Sequence, residues 1–181
     1  MSSFTPRLTR PANTDLRWIN TAYGGYNQCI LGSPSYGPGS VLSNCVGYCW
    51  GRWLEILNAT TCNLSINQAE IWYLNTGDGY ARGSTPKLGA VICYDEPGAG
   101  SGHVAIVEQI NYTGGSISSI VLSESVYGGV TFRLQTVYPP NYNLYIGMNL
   151  QGFIYLPIMF DELETYLYPV LKRRKNIKIR M

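Results

Sequence analysis

Cys45, His103 and Glu124 are the residues of this sequence whose types and order suit chemistry. Cys45 lies at the start of a predicted helix, where unpaired backbone N–H groups and the helix dipole favour an anion, so its thiol is expected to ionise readily. A thiolate becomes an effective nucleophile when a base stands next to it. His103 is the single histidine of the chain and is therefore the one candidate for that base.

The helix that would present Cys45 is predicted over Ser43–Leu57. Ser43 or Asn44 is suited to cap its first turn, because a short polar side chain accepts a hydrogen bond from an exposed amide there. Cys45 then lies beside the apolar stripe, whereas Cys49 lies on the stripe's edge and is expected to be packed, which disfavours it as the nucleophile. A buried thiol without chemistry is the alternative for Cys45. The apolar positions recur at helical spacing: Val46, Cys49, Trp50, Trp53, Leu54 and Leu57.

His103 and Glu124 are predicted on two successive strands. His103 follows a glycine-rich loop and begins the strand GHVAIVEQI, while Glu124 ends the next strand, SISSIVLSES, with Ile120 and Leu122 on the same face. If the two strands are neighbours, Glu124 lies close enough to His103 to orient the imidazole and stabilise its charged form. The sequence thus predicts a set of nucleophile, base and orienting acid.

The remaining pattern predicts an α+β fold with N-terminal helices packed on an antiparallel sheet. Short helices are predicted over Asp15–Ala22 and Asn67–Leu74. Three more strands are expected in addition to those of His103 and Glu124: Ala90–Tyr94, VTFRLQTVY and GFIYLPI.

Composition narrows the possible functions. The chain has 181 residues and a net charge of +2, which suits one domain and does not favour nucleic acid as a partner. Five cysteines without framework spacing do not predict disulfides, and one histidine is too few for a zinc set, so neither a metal nor another cofactor is expected. No acidic calcium loop is present.

We divide the chain into an extended lead-in and loop at 1–40, a catalytic domain at 41–158 and a C-terminal helix or basic tail at 159–181. The opening residues contain no apolar core of a secretory signal, and no stretch is long enough to span a membrane. Synthesis in a reducing cytoplasm is therefore expected. The basic run from Lys172 to Arg180 is either a solvated end or a docking segment.

Five motifs, NCVGYCWGR, PKLGAVICY, GHVAIVE, VLSES and GFIYLP, occur in the order and approximate spacing of the cysteine, histidine-dependent amidohydrolase/peptidase (CHAP) domains. The resemblance covers roughly residues 42–156. It implies a papain-like α+β fold, with Cys45 as nucleophile, His103 as general base and Glu124 as orienting acid. Asn44 takes the place of a polar neighbour that lines the oxyanion site. The family often carries an asparagine two residues after the acid, where this sequence has Val126.

The resemblance implies a peptidoglycan hydrolase that cleaves an amide bond through a thioester. An endopeptidase acting on the stem or cross-bridge peptide and a muramoyl-alanine amidase would use the same residues. A phage setting is expected, either as an endolysin released at lysis or as a lysin carried on the virion, acting on the bacterial cell wall. The basic C-terminus would then contact phage tail proteins or anionic wall polymers. The alternative is an inactive structural or wall-binding component of a phage tail with the same fold.

Overall fold

The computed structural model describes residues 4–12, 14–19, 41–98 and 100–158. Two α-helices lie in the N-terminal half of the described chain, α1 (Leu16–Ile19) and α2 (Cys45–Leu57). Two single 3-10 turns follow, at Ala69–Ile71 and Thr76–Asp78. Six strands complete the order: β1 (Arg82–Gly83), β2 (Val91–Asp95), β3 (His103–Thr113), β4 (Ser116–Glu124), β5 (Arg133–Val137) and β6 (Asn149–Ile154). The predicted α+β class is confirmed.

The six strands form one sheet in the order β1-β6-β2-β3-β4-β5, and every neighbouring pair is antiparallel. The strands β3 and β4 are joined by a tight turn at Gly114 and Gly115, which both have positive φ (59° and 83°), the backbone that a two-residue hairpin turn of this twist requires. This hairpin makes the strands of His103 and Glu124 neighbours, which is the condition under which the sequence places Glu124 close to His103. The two-residue strand β1 was not predicted.

Helix α2 packs on one face of the sheet, and its sequence explains why. Asn44 caps its first turn by accepting a hydrogen bond from the Gly47 amide (3.1 Å), and the helix ends at Asn58, which adopts the left-handed conformation. Its apolar face contacts strand residues that alternate toward it, Val104 and Ile106 on β3 among them. The buried residues at the centre of this layer are Tyr48, Cys49, Trp53, Leu54, Cys93, Val104 and Ile106.

The opposite face of the sheet carries a second buried cluster. Ala105 and Val107 of β3 and Ile120 and Leu122 of β4 point into it, and the connection between β5 and β6 covers it with Tyr142. The face predicted for Ile120 and Leu122 of β4 is therefore confirmed. The alternation of side chains places His103 on the same face as Ala105 and Val107, and Glu124 on the same face as Ile120 and Leu122. Both polar residues lie at the ends of their strands, at the edge of the apolar cluster.

The helix predicted over Asn67–Leu74 was wrong in extent, because the described chain forms a single 3-10 turn at Ala69–Ile71. Two side chains supply the physical reason. The Trp72 indole N–H donates to the Asn67 carbonyl oxygen (3.0 Å), and the side-chain amide of Gln151 on β6 donates to the Glu70 carbonyl oxygen (2.8 Å), which are carbonyl groups that a helix over 67–74 would have used. The helix predicted over Asp15–Ala22 is found at Leu16–Ile19, and residues 20–22 lie outside the described chain, as does the C-terminal segment 159–181.

Candidate active site

The structure brings Cys45, His103 and Glu124 together at one end of the sheet. Cys45 is the first residue of α2, His103 the first residue of β3 and Glu124 the last residue of β4. All three side chains are buried, with exposed fractions of 8%, 5% and 0%. His103 Nε2 lies 2.5 Å from Glu124 Oε2, and the imidazole also makes a hydrogen bond with the Cys45 thiol. Because Glu124 occupies Nε2, Nδ1 is the nitrogen left for the thiol.

Gly102 explains how His103 reaches this position. The glycine has a φ of +64°, which side chains other than glycine rarely adopt. A Cβ atom there would lie 2.5 Å from the Tyr94 carbonyl oxygen and 2.7 Å from the backbone of Glu70. Any larger residue would therefore push the chain away from the sheet at the point where β3 begins, and His103 would move with it.

The electrostatics of the Cys45 thiol favour its ionised form. Burial raises the pKa of the thiol, but the charge and the hydrogen bond of His103, together with the backbone amides of Val104 and Val46, outweigh burial and hold the pKa below its ordinary value. For Cys49, one turn later, burial and the neighbouring Cys45 raise the pKa well above its ordinary value. The pKa values of the two thiols of one helix are thus shifted in opposite directions, downward for Cys45 and upward for Cys49.

The imidazole of His103 is correspondingly stabilised as a cation. Burial disfavours the charged ring, but the Cys45 thiolate and the Glu124 carboxylate more than offset it and raise the pKa of His103 to about 9. Burial raises the pKa of Glu124, but the hydrogen bonds and charges of His103 and Arg133 lower it by more than burial raises it, so the pKa lies below its ordinary value. The electrostatics of the three side chains therefore favour a thiolate–imidazolium pair with a carboxylate behind it.

Ser125 links the acid strand to the start of the nucleophile helix. Its Oγ accepts hydrogen bonds from the backbone N–H groups of Ser43 (2.8 Å) and Asn44 (3.2 Å), the two residues that precede Cys45. The side chain itself is fully buried. Because Ser125 directly follows Glu124, one hydroxyl fixes the separation between the strand end and the helix start. Sequence analysis missed this residue, since no local pattern marks a serine as a partner of a backbone 81 residues away.

We expect Ser125→Ala to lower the free energy of unfolding by roughly 1–3 kcal/mol, because the amides of Ser43 and Asn44 lose their acceptor in a buried place. Ser118→Ala, on the same strand, is the matched control. The Ser118 hydroxyl donates one exposed hydrogen bond, to Asn111 O (3.2 Å), and its loss is expected to cost less than about 0.5 kcal/mol. Urea denaturation measures both, and equal losses would contradict the role given to Ser125.

Comparison with known proteins identifies the family. The model of the CHAP domain matches residues 35–125, which is half of the chain and contains Cys45, His103 and Glu124. The chain belongs to the CHAP domain family. The family resemblance and the fold predicted from the sequence are thereby confirmed.

A solved structure, N-acetylmuramoyl-L-alanine amidase from Staphylococcus aureus, is similar to this CHAP domain at 25% sequence identity with a TM-score of 0.41. The match covers 60% of this chain and 30% of that chain, so the CHAP domain described here corresponds to less than a third of that protein's length. A comparison with curated proteins finds no match.

The described residues were also compared with the features of membrane-spanning helices and of metal sites. No helix in the described part of the CHAP chain has the length and apolar character needed to cross a bilayer. Within residues 4–12, 14–19, 41–98 and 100–158, no three His, Cys, Asp or Glu side chains are grouped so that they could hold a metal ion.

Proposed function

We propose that this CHAP domain is a cysteine hydrolase that cleaves an amide bond in peptidoglycan, with Cys45 as nucleophile, His103 as general base and acid, and Glu124 as the orienting carboxylate. The observation that carries the proposal is the buried chain of contacts from the Cys45 thiol through His103 to Glu124. Each role matches the chemistry of its residue type: a thiolate attacks carbonyl carbon, an imidazole moves protons near neutral pH, and a carboxylate fixes the imidazole.

The reaction would proceed in two steps. The Cys45 thiolate attacks the amide carbonyl carbon, and the C–N bond then breaks as His103 gives its Nδ1 proton to the leaving amine, which leaves a thioester on Cys45. In the second step Nδ1 takes a proton from water, and the resulting hydroxide attacks the thioester carbonyl. The C–S bond breaks, the acid product leaves and the thiolate–imidazolium pair is restored.

Two donors at the start of α2 are suited to the developing oxyanion. The backbone N–H of Cys45 belongs to the first helical turn, where amides point outward without intrahelical partners. Asn44 precedes Cys45 and caps the helix through Oδ1, so its side-chain Nδ2 group, an N–H donor, lies at the same helix start. We propose Cys45 N and Asn44 Nδ2 as the oxyanion donors.

Tyr145 connects the site to a candidate substrate groove. The ring of Tyr145 stands edge-on to the His103 ring, with centroids 5.2 Å apart. Tyr145 also lines a cleft of about 860 Å³ that is formed by residues 140, 141 and 143–150, in the connection between β5 and β6 and the start of β6. We propose that the peptide part of the substrate occupies this cleft. Peptidoglycan as the substrate is supported by family membership, since CHAP domains mostly cut this polymer. The phage setting, the action on the cell wall and docking through the basic C-terminus remain predictions from the sequence.

Digestion of purified Gram-positive cell walls tests the proposal. The wild-type protein is expected to release soluble fragments, and mass analysis of their new termini assigns the bond as a stem-peptide, cross-bridge or muramoyl-alanine amide. Protein alkylated at Cys45 by iodoacetamide is the blank, because the alkylated sulfur can no longer act as the nucleophile. If the untreated protein sediments with walls of several types and releases nothing from any of them, it is a binding component, and the hydrolase proposal fails.

A further inference from the structure

The carboxylate of Glu124 makes hydrogen bonds with two side chains besides His103, and neither belongs to a sequence motif described above. Arg133, which lies opposite Glu124 in the register of β4 and β5, donates from Nε to Glu124 Oε1 (2.6 Å). The Tyr145 hydroxyl lies 3.1 Å from each oxygen of the Glu124 carboxylate and donates a hydrogen bond that the two oxygens share. We infer that Arg133 and Tyr145 are positioning residues that hold Glu124 ionised and in the imidazole plane, and thereby fix the tautomer of His103. This inference rests on the thiol chemistry proposed for Cys45.

The arginine and the tyrosine also hold each other. The Arg133 Nη2 donates to the Tyr145 hydroxyl, and the guanidinium lies 5.4 Å from the centre of the tyrosine ring. Tyr145 therefore accepts from Arg133 and donates to Glu124, which uses both sides of its hydroxyl. The same ring packs edge-on against His103. Glu124 and the imidazole it serves are thus enclosed by two mutually bonded side chains from β5 and from the following connection.

A charge argument explains why a cation is needed there. Glu124 is fully buried, and a buried carboxylate without a cation prefers to be protonated. His103 supplies positive charge when it is an imidazolium, but in the proposed reaction it loses that proton to the leaving amine. For that interval Arg133 is the cation in contact with Glu124 among the described residues. Arg133 therefore neutralises the negative charge of Glu124 during the part of the reaction in which His103 is neutral.

The protonation state of Glu124 in turn selects the tautomer of His103. An ionised carboxylate accepts a hydrogen bond and keeps the proton on Nε2, which leaves Nδ1 unprotonated and ready to act as a base. A protonated Glu124 would donate to Nε2 instead, and the neutral ring would carry its proton on Nδ1, facing the sulfur. That tautomer cannot take a proton from Cys45 or from water. Arg133 thus acts on the thiol through two intermediaries, without contact to the reacting atoms.

The other titratable groups that face Glu124 are uncharged near neutral pH. Tyr94 of β2, whose backbone pairs with His103, has a pKa raised by burial and by the charge of Glu124. Burial and the neighbouring thiols and carboxylates also raise the pKa of Cys49 on α2. Burial and Glu124 raise the pKa of Tyr145 to about 12. Cys45 and His103 form the ion pair themselves, so Arg133 is the permanent charge in this environment.

The position of Val126 fits this arrangement. The CHAP family often places an asparagine at this position, and valine cannot make the side-chain hydrogen bonds of an asparagine. In the structure the Val126 amide donates to the Val130 carbonyl oxygen (2.9 Å) and starts a short turn that leads to β5. Arg133 stands at the beginning of that strand. The support of Glu124 therefore comes from the strand after the turn.

The test measures alkylation of Cys45 by iodoacetamide across pH in the full-length chain, with the Cys45 peptide quantified by mass spectrometry. Iodoacetamide reports the thiolate and needs no wall substrate. Loss of the Arg133 cation raises the pKa of Glu124, weakens support for the imidazolium and thus raises the pKa of Cys45. For Arg133→Met we expect a rate lower by on the order of tenfold near pH 6, converging with the wild type near pH 10, where the thiolate is formed in both. Glu124→Gln is expected to show the same pattern more strongly.

Three further variants separate positioning from a structural contribution. Arg133→Lys keeps the cation and is expected to recover most of the rate near pH 6. Tyr145→Phe keeps the ring against His103, loses the hydroxyl and is expected to show a smaller decrease than Arg133→Met. Arg17→Met is the matched control, because Arg17 is similarly exposed (31% against 33%) and forms an ion pair with Asp15 outside the site. Its profile is expected to overlay that of the wild type.

The outcomes distinguish this inference from the proposed function. An Arg133→Met profile that overlays the wild type, or a rate reduced by the same factor at every pH and by Lys as much as by Met, overturns the inference while Cys45 remains a reactive thiol. An unreactive Cys45 in the wild type overturns the inference and the hydrolase proposal together. A shifted profile in a protein that releases nothing from cell walls supports the inference and removes the proposed substrate.

Discussion

Replacement of Cys45 by alanine is expected to lower the rate of wall hydrolysis on the order of a thousandfold or more, to the level of the blank. The proposed reaction has no route that bypasses the thioester, so removal of the sulfur removes the step that breaks the C–N bond. The fold should tolerate the change, because Cys45 lies at the start of α2 and its neighbours keep their backbone hydrogen bonds. Fragment release from purified walls measures the rate, and thermal denaturation verifies the fold.

Cys49→Ala is the control that makes this result specific. Cys49 is on the same helix one turn later, is fully buried, and has a thiol whose pKa burial raises well above its ordinary value. We expect Cys49→Ala to retain nearly all of the hydrolytic rate of the wild type. The opposite result, with Cys49→Ala inactive and Cys45→Ala active, would move the nucleophile to Cys49 and refute the site described here.

The second large effect is expected in stability. Arg52 of α2 makes a two-pronged ion pair with Glu108 of β3, with Nε–Oε1 and Nη2–Oε2 distances of 2.9 and 2.8 Å, and both side chains are almost fully buried (4% and 0% exposed). Arg52→Met leaves the Glu108 carboxylate buried without its cation. A loss of about 3–5 kcal/mol in the free energy of unfolding is therefore expected, measured by urea denaturation.

Further hydrogen bonds hold the Glu108 carboxylate in its buried position, so it would stay buried without a cation in Arg52→Met. Its Oε1 accepts from the Ser123 hydroxyl (2.7 Å), which accepts in turn from the Tyr48 hydroxyl (2.8 Å). Its Oε2 accepts from the backbone N–H of Arg7 (2.8 Å), so the same carboxylate fastens the N-terminal segment to the sheet. The network joins α2, β3 and β4 to Thr5 and Arg7 of the N-terminal segment.

A double variant separates the ion pair from general packing. Arg52→Met combined with Glu108→Leu removes both charges and keeps apolar volume, and buried pairs replaced in this way often cost little. We expect the double variant to be more stable than Arg52→Met alone. The stability loss of the double variant would then be smaller than the sum of the losses of Arg52→Met and Glu108→Leu, and the difference is the coupling free energy of the pair. Losses that simply add would show that the two side chains contribute independently. Arg17→Met, at an ion pair with higher exposure, should cost less than about 1 kcal/mol.

The parts of this CHAP domain that depend on neighbouring residues were predictable. The helix from Cys45 to Leu57 follows from apolar spacing and an Asn44 cap, and the strands that carry His103 and Glu124 follow from alternation and from the glycines between them. Both signals are local, because a helical stripe and a two-residue turn are set by residues a few positions apart. The order of Cys45, His103 and Glu124 was enough to name the candidate site.

The support around that site depended on contacts that no local pattern contains. Ser125 meets the backbone of Ser43 and Asn44 across 82 and 81 positions, and Arg133 and Tyr145 meet Glu124 from a separate strand and the connection that follows it. Such contacts arise when β4 is paired with β5 and when α2 packs on the sheet, so they are properties of the assembled chain. The same reason explains the error in the helix predicted over Asn67–Leu74, because the side-chain amide of Gln151, on β6, takes the Glu70 carbonyl group that the helix would have used.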